Sequence, residues 1–133
     1  MATRDRYLQP GRLVSRFLNP LLMKLGIVPT LAVRGRTSGQ WRTVPVNLLV
    51  VDGRGYLVSA RGETDWVQNI RAAGGGELRR GSRVQPFTAT EIPDEQKPPL
   101  IQAYLDRWGY QVNAYFKALP DPTDHPVFRI EYA

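Results

Sequence analysis

A chain of 133 residues, 42% hydrophobic and 10% aromatic, holds one domain's worth of sequence, enough to bury a core and too apolar for a disordered segment. It has no cysteine and a single histidine, His125, which excludes disulfides, thiol nucleophiles, iron–sulfur ligation and a His/Cys zinc site, and leaves a serine–histidine pair without support. The net charge of +6 is uneven: Arg34 to Arg83 carries nine arginines against four acids, or +5, and the remainder carries +1. Arginine rather than lysine dominates that segment, as suits forked contacts to phosphate or carboxylate, although a solvated basic face would have the same composition.

The first element is an apolar stripe. Leu13, Val14, Phe17, Leu18, Leu21, Leu22 and Leu25 recur at helical spacing, flanked by Arg12, Arg16 and Lys24. Asn19-Pro20 reads as an N-cap followed by a first-turn proline, so residues 1–26 are expected to form two short helices or one kinked helix. The stripe suits a helix lying over the domain, with a membrane-surface helix as the alternative. No apolar run is long enough to span a bilayer, and "MATRDRYLQPGR" leads into no signal-peptide core, so a cytoplasmic protein is expected, at most peripheral to a membrane.

Residues 27–133 read as a single domain in which the period changes. Thr30–Gly35 is a short strand, Thr43–Val51 a longer one, and Asp52-Gly53-Arg54-Gly55 a hairpin turn into the strand Tyr56–Ala60. Thr64 is placed to cap a short helix, "DWVQNIRAA", which Gly74 to Gly76 would end. "ELRR" and Arg83–Ile92 predict two strands around Gly81-Ser82. A helical stretch starting at Asp94 carries Leu100, Ile101, Tyr104, Leu105 and Trp108, with Pro98 and Pro99 in or before its first turn. Pro126–Tyr132 is a closing strand. About six short, mostly antiparallel strands with flanking helices predict a small α+β barrel.

The chemistry concentrates in the basic segment. Gly35 and Gly39 bracket Arg36-Thr37-Ser38, a turn able to aim N–H and hydroxyl donors at one point, with Arg42 adding charge. This is either an anion cradle or an ordinary hairpin loop. Arg61 follows a strand and precedes Gly62, so it reaches outward from a strand end. Trp66 offers a flat wall for a planar ring or a core packing group. Asn69 either bonds a ligand or pins its helix to the barrel.

Three motifs in order, "RGRTSGQWRTVPV", "YLVSARG" and "DWVQNIRA", resemble the deazaflavin-dependent nitroreductase family of actinobacteria. That resemblance, from about Val28 to "HPVFRIEY", implies a split β-barrel of the pyridoxamine-phosphate-oxidase-like type that binds coenzyme F420, an anionic deazaflavin. It implies a cofactor site along the motif positions: Arg36, Thr37, Ser38, Gly39, Arg42, Thr43, Val44, Pro45, Val46, Asn47, Val58, Ser59, Ala60, Arg61, Asp65, Trp66, Val67, Gln68 and Asn69. No metal is implied. The reaction implied is hydride transfer from the reduced deazaflavin to an electron-poor acceptor such as a quinone, nitro compound or activated alkene. The protein would supply binding, orientation and exclusion of water. Tyr110 and Tyr115, expected just past the last helix, are candidates to donate a proton or hold the acceptor. The alternatives are a flavin mononucleotide (FMN) protein of the same fold, a non-catalytic deazaflavin carrier and, more remotely, a nucleic-acid-binding barrel. Few aromatics are available for base stacking, so no nucleic-acid partner is expected. The chain is expected to act as a monomer or homodimer.

Overall fold

The computed structural model describes residues 28–133. The helices expected over Leu13–Leu25, their membrane-surface alternative and the segment boundary at residue 26 lie outside the described residues.

Seven strands and two helices make up the described part. In chain order they are β1 (Thr30–Arg34), β2 (Trp41–Pro45), β3 (Leu48–Val51), β4 (Arg54–Val58), α1 (Asp65–Ala73), β5 (Gly75–Arg80), β6 (Arg83–Glu91), α2 (Lys97–Ala118) and β7 (Val127–Tyr132). All pairings are antiparallel, in the order β2-β1-β5-β6-β7-β4-β3. β2 and β3 therefore form opposite edges of the sheet, yet only Val46 and Asn47 separate them in the chain. A link of two residues reaches only about 10 Å. The sheet must curl until its edges nearly meet, and that is a split barrel. The same link accounts for the strand count. The run expected as a single strand, Thr43–Val51, changes partner partway along: β2 pairs with β1, and β3 pairs with β4.

Strand alternation divides the apolar residues between two cores. Leu31, Val33, Leu57, Leu78, Phe87, Phe128 and Ile130 fill the barrel, and α1 closes it with Val67 and Ile70. Leu49, Tyr56, Val58 and Val127 lie on the other face beneath Ile101, Tyr104 and Val112 of α2. Pro98 and Pro99 sit in the first turn of α2, where their missing N–H groups cost nothing, and a 3₁₀ turn at Asp94–Gln96 precedes it. The helix continues through Tyr110 and Tyr115 to Ala118, with non-helical dihedrals only at Trp108. The two tyrosines are therefore within the helix, not past it.

The glycine run also divides. Gly74 alone ends α1, in the left-handed region with φ 79°, its N–H bonding Ile70 O at 2.7 Å. Gly75 and Gly76 already belong to β5, and a Cβ at Gly75 would lie 2.2 Å from Phe87 O, so no side chain fits there. His125 is a structural residue. It is fully buried and stacks on Phe116 with a centroid separation of 4.0 Å. Its ring nitrogens lie 3.0 Å from Ser59 O and 2.6 Å from Leu119 O, joining the end of β4 to the end of α2.

Candidate active site

A cavity of about 800 Å³ opens where the β1–β2 turn, β2 and the loop into α1 converge. This is within the range of small-molecule sites. Its walls carry Arg36, Thr37 and Ser38 from the turn, Arg42, Thr43 and Val44 from β2, and Arg61, Thr64, Asp65, Trp66 and Asn69 from the loop and helix.

The turn is held from within and from behind. Gly35 and Gln40 close it through a 2.8 Å backbone bond, and Gly39, at φ 72°, donates to Gly35 O at 2.9 Å. Ser38 Oγ accepts from Gln40 N at 3.2 Å, so this hydroxyl already stabilises the turn. Asn69 is buried, and its Oδ1 accepts from both the backbone N–H of Arg36 at 3.0 Å and Arg36 Nη1 at 2.8 Å. Of its two expected roles, the geometry shows the pin: Asn69 locks the turn to α1. Arg36 Nη2 also reaches Asp65 at 3.3 Å, a pair exposed enough to contribute little by itself. Arg42 lies opposite Val33 in the register and lines the cavity with no ion-pair partner among the described residues. Three arginines against one aspartate leave the cavity at +2.

Trp66 packs into the core and also lines the cavity. Its ring lies 6.1 Å from Phe128 at a tilt of 57°. The loop before it is anchored from the rear. Arg71 of α1 binds Glu91 of β6 and Glu63 of the loop, and these two hydrogen bonds, the Glu91 one foremost, hold its guanidinium pKa above the ordinary value. Ser59 Oγ donates to Gly62 O at 2.5 Å across the base of the same loop.

Ten of the sequence-identified positions thus line one cavity: Arg36, Thr37, Ser38, Arg42, Thr43, Val44, Arg61, Asp65, Trp66 and Asn69. The others lie behind it or away from it. Gly39 shapes the turn, Val67 is in the core, and Gln68 bonds Glu63 O. Pro45 and Val46 continue the β2 run, and Val46 N–H bonds Pro29 O. Val58, Ser59 and Ala60 end β4 against the α2 side. Asn47 is on that side too, donating to Tyr104 Oη at 3.3 Å and to Gln111 Oε1 at 3.1 Å. Tyr110 is 80% exposed and accepts from Gln111, while Tyr115 packs into the α2 cluster; neither lines the cavity. Val33 and Thr64 were not foreseen as wall residues. The alternation of Leu31 and Val33 marks them as inward-facing, which was the available signal for Val33.

The curled sheet and this basic, tryptophan-walled cavity define a split-barrel protein with a candidate small-molecule site. The chain belongs to the F420H(2)-dependent quinone reductase family, whose model matches residues 15–117. It is therefore an F420-dependent reductase, and its cofactor is coenzyme F420. Solved structures agree in fold. An F420-H2 dependent reductase (FDR-A) is 24% identical with a TM-score of 0.59, over 77% of this chain and 93% of that one. An F420 reductase is 12% identical with a TM-score of 0.53, over 87% and 94%. A Listeria innocua protein described provisionally as a pyridoxamine 5′-phosphate oxidase is 15% identical with a TM-score of 0.55, over 85% and 90%. No curated protein matches the chain.

The donor set suits this cofactor. Its guanidinium groups would answer the anionic groups of a deazaflavin cofactor, and Trp66 would offer a flat wall to a planar ring. Among the described residues no helix is long and apolar enough to cross a membrane.

Proposed function

We propose that the cavity binds reduced F420 and presents it to a quinone-type acceptor, with nitro compounds and activated alkenes as further acceptors. The observation that supports this most is the meeting of Arg36, Arg42 and Arg61, from three separate segments, beside Trp66 in one cavity. The bound deazaflavin supplies a two-electron hydride. The chain's own residues do the rest. Arg42 and Arg61 hold the anionic tail, Arg36 is presented in a fixed place by Asn69, and Trp66 with Val33 and Val44 forms an apolar bed that keeps water from the ring. The remaining cofactor contacts expected at Thr37, Ser38 and Thr43 would come from backbone and hydroxyl donors at the mouth.

Neither tyrosine hydroxyl reaches this cavity wall, so on this reading Tyr110 and Tyr115 act at most on the approach of the acceptor, and solvent provides the proton. The chain works in the cytoplasm as a monomer or homodimer; one similar structure, 23% identical, is described as a domain-swapped dimer.

The test is a side-by-side titration with F420 and FMN, followed through tryptophan fluorescence. Oxidation of reduced F420 is then measured with a menadione-like quinone and with a nitroaromatic. Preference for F420 and faster turnover of the quinone are expected. Quenching by FMN alone would overturn the cofactor assignment, and turnover of only the nitroaromatic would overturn the acceptor.

A further inference from the structure

Thr64 lines the cavity at the start of α1, yet its Oγ1 is the one buried side-chain polar atom among the described residues with no hydrogen-bond partner. Threonine at an N-cap ordinarily accepts from an N–H of the first helical turn. Here the backbone has cap geometry, φ −75° and ψ 170°, but the side chain makes no capping bond. Gln68 N–H is the first to reach back, to Thr64 O at 3.3 Å, so the N–H groups of Asp65, Trp66 and Val67 are also without intrahelical partners. A nine-residue helix thus presents its positive end and an idle hydroxyl together beside a cavity. Leaving a buried hydroxyl unsatisfied is costly, so it persists where something else supplies the partner. Rotation about χ1 carries a threonine hydroxyl among three staggered positions, so the side chain can turn to meet an acceptor held in the cavity it lines.

We propose that Thr64 is a cofactor-binding residue whose hydroxyl, with the leading N–H groups of α1, holds an oxygen acceptor of the bound deazaflavin. The proposal rests on reading the cavity as the F420 site. It distinguishes this hydroxyl from Ser38 Oγ, which already accepts from Gln40 N, and from Ser59 Oγ, which donates to Gly62 O, since Thr64 Oγ1 makes neither kind of bond among the described residues. The acceptor is either a ring carbonyl or a phosphate oxygen, and the two sources separate by experiment. Asp65 follows directly in the first turn, but its carboxylate is 87% exposed and engages Arg36, so it does not take the place of the ligand at the helix end.

The test compares Thr64→Val, which keeps the shape and deletes the hydroxyl, with Thr64→Ser, which keeps the hydroxyl. Affinity is measured for F420 and for its riboside, which lacks the phosphate-linked tail, and the melting temperature of the free protein is recorded. Thr64→Val is expected to weaken F420 binding roughly three- to tenfold. Its melting temperature should hold or rise, because a buried polar group without a partner has been removed. Thr64→Ser should bind as the parent does. Equal weakening toward the riboside assigns the hydroxyl to the ring, and weakening toward F420 alone assigns it to the phosphate. A lower melting temperature with unchanged affinity would show an ordinary helix cap and overturn the proposal. A parent that binds neither ligand overturns the cofactor reading itself, which is a different failure from a parent that binds and a Val variant that binds equally well.

Discussion

At the scale of single residues, the arginines of the basic segment have become distinct groups. Arg79 pairs with Glu77 at 2.9 Å and lies 5.0 Å from the Trp41 ring, Arg34 lies over the same ring at 4.1 Å, and Arg71 is taken by two glutamates. Arg42 has no such partner among the described residues, so its removal should affect the ligand and little else. Arg42→Gln is expected to weaken F420 binding about tenfold or more, the loss of one charge-assisted contact, with an unchanged melting temperature; a fall in melting temperature would mean that Arg42 holds the fold. Tyr104 gives the pH dependence. Burial raises the pKa of its hydroxyl above the ordinary 10.0, with the Asn47 hydrogen bond acting in the opposite direction. The neutral form is therefore favoured in the folded chain. That stability is fully present below about pH 10 and is lost as pH rises through the folded value. Tyr104→Phe should flatten the alkaline limb of a stability–pH curve above about pH 10. A limb equally steep in the variant would assign it to other groups. Tyr110→Phe and Tyr115→Phe are expected to leave F420 affinity and kcat unchanged, and a drop in kcat in either would give that hydroxyl a place in the proton transfer.

At the scale of elements, α1 is where fold and site meet. It closes the barrel with Val67 and Ile70, pins the turn through Asn69 and anchors its own leading loop through Arg71. Arg71→Met should remove the guanidinium shared by the mostly buried Glu63 and the half-exposed Glu91, at a cost of about 1–3 kcal/mol. Because Glu63 lies between Arg61 and Thr64, the same variant should weaken F420 binding, unlike a surface charge change of similar size. Equilibrium unfolding and a binding titration on one preparation check both effects, and lost stability with parental affinity would show that the loop keeps its form without Arg71. The sequence announced this helix well, since a capping residue, an apolar face and a glycine stop all coincide over nine residues. It did not announce the break at Val46–Asn47. Thr43–Val51 is uniformly strand-forming, and only the barrel's closure makes it exchange one partner for another. Nor does a cap residue's identity reveal whether its hydroxyl caps. That depends on the rotamer the surrounding wall permits, which is why Thr64 read as a helix start and not as part of the site.

At the scale of the whole molecule, the net +6 and its concentration in Arg34–Arg83 pointed to a segment that does contribute three arginines to one cavity, but not to how much field reaches it. Folding neutralises part of that charge in pairs, Arg71 with Glu63 and Glu91 and Arg79 with Glu77, and leaves the cavity with Arg36, Arg42 and Arg61 against Asp65. A small cluster of like charges in a concave, partly apolar mouth concentrates the field that an approaching anion meets. The expected consequence is kinetic. F420 is anionic and its association should slow as salt rises, since the screening length falls from about 10 Å at 0.1 M to about 3 Å at 1 M. Dissociation should change less, because contacts already made are shielded from bulk ions. A quinone carries no charge to steer, so its KM at saturating reduced F420 should be nearly indifferent to the same salt series. Stopped-flow binding across that series separates the two. An F420 association rate that stays flat with salt would mean that the mouth recognises its cofactor by contact alone, and that the arginine excess of the sequence is mostly an accident of surface composition.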